Sequence, residues 1–202
     1  MKIRVAASMA ACAGIFLLVS GCMTQHAPLS VAGADKPLKI EKSEDLILTV
    51  RYLDDDTLKL KFGKKEANPF LSDYYSLQFR RFLVFELSLE NAGSVPVKFL
   101  LNRLELQYGG KAMNAYNAFR INQYWEFKDD EEEVKGSQKA RRERFVKDNV
   151  LRDSVTIPAP GELKGYAVFT GNTPNYGTAT LYVPIFTPTG EVVHRFEVPF
   201  EF

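Results

Sequence analysis

The chain has 202 residues, with 26 Lys plus Arg against 25 Asp plus Glu, and two cysteines. A balance this close to zero excludes the strongly basic surface that displaces counterions from nucleic acid, so no nucleic-acid partner is expected. Cys12 and Cys22 both lie near the N-terminus, which leaves the folded part without a thiol for a disulfide, a metal cluster or a nucleophile and makes burial its source of stability.

Lys2 and Arg4 precede the apolar run VAASMAACAGIFLLV, which stops at SGC. A cationic start, a short apolar stretch and small residues before a break are the three regions of a secretory signal, and the run is short for a spanning helix. Leu18, Val19, Ser20 and Gly21 before Cys22 closely resemble the bacterial lipobox, at which a dedicated peptidase cuts ahead of a diacylglyceryl-cysteine. The resemblance implies that residues 1–21 are a lipoprotein signal peptide and that Cys22 becomes the lipidated first residue of the mature chain, with the membrane as its first partner. At about 0.8 kcal/mol per buried methylene, two or three acyl chains hold nearly permanently where one does not. In such proteins an aspartate directly after the cysteine tends to retain the chain at the inner membrane. Met23 and Thr24 follow here, so the resemblance implies outer-membrane sorting. Loss of Lys2 and Arg4 leaves 24 cations against 25 anions, a mature balance of about −1.

Residues 22–44 mix Pro, Gly, Ala, Ser and charges without an apolar period and read as a flexible tether, on which His26 is solvated. Residues 45–202 then form one domain. Leu46, Leu48 and Val50 alternate in LILTVRYL, and Leu58, Leu60 and Phe62 in TLKLKF, each predicting a strand; Asp54, Asp55 and Asp56 between them read as a turn. In FLVFELSLEN, Leu83, Phe85, Leu87 and Leu89 are opposed by Val84, Glu86, Ser88 and Glu90, the pattern of a half-buried antiparallel strand. After the turn NAGSVP, VKFLLNRLELQY repeats the alternation through Leu104, Leu106 and Tyr108, and YGGK leads to KAMNAYNAF. Further along come SVTI, the turn PAPGE, LKGYAVF, ATLYVPIF, the turn TPTGE and VVHRFEVPFEF, with His194 near a strand surface. Seven to nine short strands with Gly, Pro and Asn punctuation predict an all-β antiparallel sandwich.

Two blocks, VFELSLENAGSVPVKFLLNRLELQY and VTIPAPGELKGYAVF, are similar to segments of the Ig-like domains of bacterial surface lipoproteins of unknown function. They cover about a quarter of the chain. Gly93 and Gly161 are expected to supply turn dihedrals, and Pro96 and Pro158 to sit at strand entrances that need no ladder donor. The resemblance carries no catalytic residue. The sequence departs from it by an insert at about 126–150, FKDDEEEVKGSQKARRERFVKDNVLRD, in which an acidic run (129–133) passes into a basic one. A helix starting at Ser137 is expected, with four-apart pairs Lys139 to Glu143 and Glu143 to Lys147. The insert reads either as a solvated helix in a long loop or as a partner-docking element; in both readings, replacing 129–147 leaves a cooperative fold. The acidic run lacks the spaced, Gly-turned arrangement of calcium loops, so no metal is expected.

Just before the insert, residues 116–127 mix Tyr116, Phe119, Tyr124, Trp125 and Phe127 with Asn and Gln. Tyr124 and Trp125 are candidate ligand-binding residues for a glycan or peptide, or equally core filler. There is no G-x-S-x-G, no H-E-x-x-H and no phosphate-cradling glycine loop, so no catalytic residue or cofactor is expected. The sequence therefore predicts an envelope protein, lipid-anchored at the outer membrane, that acts as a binding or assembly module for another envelope component, by a sheet edge or the insert. The alternative is a carrier or sensor of a small ligand held by the aromatic segment.

Overall fold

The computed structural model describes residues 38–63, 68–71, 80–132, 135–172 and 177–201. Ten strands and three α-helices occur among them, in the order β1 (Leu38–Ser43), β2 (Leu46–Leu53), α1 (Asp55–Phe62), β3 (Arg80–Asn91), β4 (Val97–Leu100), β5 (Glu105–Tyr108), β6 (Lys111–Asn114), α2 (Ala118–Glu132), α3 (Gly136–Asn149), β7 (Ser154–Ile157), β8 (Gly161–Asn172), β9 (Thr178–Phe186) and β10 (Val192–Glu201). One antiparallel sheet runs β1-β2-β3-β8; the other runs β6-β5-β9-β4-β7, with β10 on the opposite side of β9. The protein is thus mostly β, two antiparallel sheets in a sandwich. β1 begins inside the stretch read as tether, where Ile40 pairs with Thr49 and Lys42 with Ile47.

Period-two alternation places the sandwich core. Leu46, Leu48 and Val50 on β2, Leu83, Phe85, Leu87 and Leu89 on β3, Leu106 on β5, and Leu181, Val183 and Ile185 on β9 are all buried in one cluster between the sheets. The two family-like blocks meet at one end of this core. Asn91 is buried opposite Gly161 in the β3–β8 register. Its Nδ2 donates to the carbonyls of Val95 at 2.9 Å and Pro158 at 3.1 Å, and its Oδ1 accepts from the Gly93 amide at 3.2 Å. One side chain therefore ties the β3–β4 turn to the β7–β8 turn. Gly93 and Gly161 are not in the left-handed region, contrary to the expected turn role; close approach requires them instead. A Cβ on Gly161 would lie 2.7 Å from the Pro158 carbonyl oxygen, and one on Gly93 would lie 2.9 Å from Asp45 Oδ2. Asn91→Ala leaves buried carbonyls without their donor and is expected to destabilise by about 1 to 3 kcal/mol. A urea midpoint equal to wild type would contradict that role.

Three sequence expectations are corrected on the outer face of the first sheet. TLKLKF is not a strand: it lies in α1, because Asp54 caps the helix by accepting from the Thr57 amide at 2.7 Å, with Asp55 and Asp56 in the first turn where the dipole favours anions. Leu58 and Phe62 are four apart and share the inward face, whereas Leu60 is 91% exposed. NAYNAFRINQYWEF enters α2, started by Asn117, whose Oδ1 accepts from the Arg120 amide at 3.0 Å.

The insert is also not a solvated loop. It completes α2 and forms α3, and the chain on either side is stapled to the edge of β8 away from β3: the Tyr116 amide donates to the Val168 carbonyl at 2.6 Å and the Leu151 amide to the Tyr166 carbonyl at 3.0 Å. Ile121 and Trp125 of α2 and Val146 of α3 are buried with Leu53, Val84 and Val168 of the sheet in a second core. Phe62, Phe70, Phe145 and Tyr166 close it with edge-on and tilted ring contacts; Phe145 lies 5.1 Å from Phe62 and 5.6 Å from Phe70. Asn68, fully buried, holds the end of α1 by donating to the carbonyls of Leu58 at 2.9 Å and Gly63 at 3.2 Å. Lys139 reaches across to Glu126 of α2 at 3.7 Å, so its observed pairing is between helices rather than along one.

Candidate functional site

Trp125 is only 5% exposed. Its Nε1 donates to the Pro69 carbonyl at 2.8 Å, and the Arg142 guanidinium stacks 4.5 Å above the ring. Tyr124 packs against Phe82 at 4.7 Å and against Trp125 at 5.4 Å between centroids. The pair is thus used to seal the helices on the sheet. His194, half-buried on β10, faces Ser43 Oγ through Nδ1 at 3.1 Å and packs edge-on to Phe196. Cys22 and Glu133 of the acidic run lie outside the described residues. Among the described residues, no group of three His, Cys, Asp or Glu side chains is placed to hold a metal ion, and no helix is long and apolar enough to cross a membrane.

Among the described residues, the helices cover about half of the outer face of the first sheet, and the other half carries a polar surface. The register gives it row by row. Leu53, Val84 and Val168 form the covered row; then come Arg51, Glu86 and Tyr166; then Thr49, Ser88 and Lys164; then Ile47, Glu90 and Glu162. Apolar residues give way to polar ones at the boundary of the helical cover, which is why β3 shows a buried Val84 and half-buried Glu86 and Ser88 on the same face. A groove of about 540 Å³ lies over this polar half, with Thr49, Arg51, Glu86, Ser88 and Lys164 on its floor and Lys61 of α1 and Asp148 of α3 on its walls.

Most of the charges there are matched. Lys61 Nζ donates to Glu86 Oε1 at 2.6 Å and stands 5.2 Å over the Tyr166 ring. Partial burial pulls the Lys61 ammonium down, but its hydrogen bonds to Glu86 and Tyr166 outweigh that and hold its pKa above the ordinary lysine value. Glu162 receives Lys164 at 2.7 Å and Ser88 at 2.6 Å, and those two hydrogen bonds, that of Lys164 foremost, hold its carboxyl below the usual range. Arg51 differs. Its Nε is sealed from solvent without a hydrogen-bond partner, and it joins no ion pair among the described residues, although Glu86 is its direct neighbour across β3. Sequence reasoning missed this surface, because one arginine in an alternating strand carries no signal of what its neighbours do with their charges.

No protein-family model matches the chain. No curated protein matches it either. Two solved structures from Bacillus subtilis are similar in shape. One is ycdA, a provisionally assigned lipoprotein, at 15% identity and a TM-score of 0.43 over 80% of this chain and 38% of that one. The other is the yjhA protein, at 12% identity and a TM-score of 0.39 over 79% of this chain and 94% of that one. The chain thus spans well under half the length of ycdA, and likeness of this degree informs neither activity nor partner.

Proposed function

We propose that this protein is a lipid-anchored envelope protein, held at the outer membrane through Cys22, whose sandwich is of the Ig-like kind and serves as a binding or assembly module for another envelope component. The lipobox-like LVSGC supports the anchor. The observation that carries the module reading is the divided outer face of the first sheet: three helices wall off half of it and leave a polar groove open beside them. A rigid sheet floor with side walls suits recognition better than a mobile loop does, because little ordering entropy is lost on binding. A carrier reading built on Tyr124 and Trp125 has less support, since both rings are engaged in packing.

Two experiments test the proposal together. Labelled fatty acid is expected in the wild type and absent from Cys22→Ala; equal labelling of both contradicts the anchor. A photoreactive residue replacing Thr49 is expected to capture a defined envelope component that one replacing Arg144, exposed on α3, does not capture. Capture from Arg144 alone moves the binding surface to the insert and overturns the assignment to the groove.

A further inference from the structure

We infer that the groove binds a ligand carboxylate at Arg51, an inference that rests on the module reading and names the chemistry of its site. Three cations face or line the groove, and two of them are already answered: Lys61 by Glu86 at 2.6 Å and Lys164 by Glu162 at 2.7 Å. Arg51 is left. No hydrogen bond or ion pair engages its guanidinium among the described residues: Nε is closed off on the sheet floor, and Glu86, the nearest acid by register, is occupied by Lys61 and approached by the Tyr166 hydroxyl at 3.5 Å. With Nε closed off, a ligand in the groove meets the guanidinium at its terminal nitrogens, and the two oxygens of a carboxylate match that planar fork. A lysine at this position would offer only a point charge.

The surrounding charge selects the class of anion. Glu86 is paired with Lys61 and Glu162 with Lys164, so Arg51 and the wall residue Asp148 are the charges left along the groove, and one guanidinium matches a singly charged carboxylate better than a group carrying about two negative charges, such as phosphate. The volume of about 540 Å³ suits a small molecule or the end of a chain. A sugar acid and a peptide C-terminus both present the required group.

The test uses the full-length chain in detergent micelles and follows the Arg51 Nε–Hε resonance by NMR, with glucuronate and N-acetyl-alanyl-alanine as probes and glucose and the dipeptide amide as their neutral counterparts. A saturable shift with at least one carboxylate and none with the neutral forms is expected, and which probe acts tells the sugar-acid source from the peptide one. Arg51→Gln is expected to weaken binding about tenfold or more, the size of a charge-assisted hydrogen bond. Glu86→Gln is expected to tighten it, because Lys61 is then released towards the ligand. Local unfolding would weaken binding in both variants, so a loss in both overturns the inference, as does an unmoved resonance or equally tight, Arg51-dependent binding of inorganic phosphate. Capture from Thr49 without any carboxylate response sinks this inference and leaves the module reading standing. A carboxylate response without capture supports the site and tells against the module.

Discussion

Phe85→Ala is expected to lower the free energy of unfolding by about 3 to 5 kcal/mol, the usual cost of removing a buried aromatic ring. Phe85 is fully buried at the middle of β3, the strand that β2 and β8 flank. Its ring meets Phe200 of β10 at 5.0 Å, Tyr52 at 5.3 Å and Phe169 at 5.7 Å, so it spans the gap between the two sheets. These neighbours belong to three different strands whose backbones are fixed by ladders, and the space left by the ring cannot readily collapse. Phe85→Leu, which retains most of the volume, is expected to cost clearly less. A chemical-denaturation midpoint of Phe85→Ala equal to wild type would place the ring outside the sandwich core.

Trp125→Ala is expected to cost about 3 to 5 kcal/mol as well, through a different set of contacts. The ring joins α2 to the chain around Pro69 and to α3, and its loss removes the Nε1 donor from a carbonyl 2.8 Å away and the face on which the Arg142 guanidinium rests. An almost fully buried guanidinium deprived of its aromatic face adds to the loss. Trp125→Phe keeps the apolar body and the cation contact but not the hydrogen bond, and is expected to fall in between. Equilibrium unfolding followed by far-UV circular dichroism reads both. A Trp125→Ala protein as stable as wild type would return the indole to the role of an exposed ligand platform.

The sandwich was legible in the sequence because antiparallel strands with one buried face write their facing as strict alternation. Leu83, Phe85, Leu87 and Leu89 are buried as their spacing requires. The helical half was less legible, for reasons that particular residues make plain. In TLKLKF, Leu58, Leu60 and Phe62 satisfy period two, but Leu58 and Phe62 also satisfy a four-residue period over so short a run, and only the cap decides. Asp54, three residues ahead of Thr57, was the available signal, and Asn117 ahead of Arg120 was its counterpart for α2. In α3 the inward residues Arg142 and Val146 are four apart, yet one is charged, so composition pointed to solvent while the helix turned its stem and methyls inward. Alternation puts Val84 on the polar side of β3 with Glu86, Ser88 and Glu90, yet it is buried by elements remote in sequence. The groove at Arg51 follows from those same remote elements, since its limits are set by where the helices end on the sheet.

Residues 129–147 are part of the fold rather than an appendage, since Phe145 and Val146 pack into the second core. The direct measurement is thermal and urea unfolding of the chain in which 129–147 is replaced by a short Gly/Ser linker. Replacement removes Phe145 and Val146 and uncovers Leu53, Val84, Trp125 and Val168. The account predicts a large drop in stability, with loss of a single cooperative transition and binding of a dye specific for exposed apolar surface. A cooperative transition with the wild-type midpoint and no dye binding would contradict it, and would make the insert a dispensable surface element.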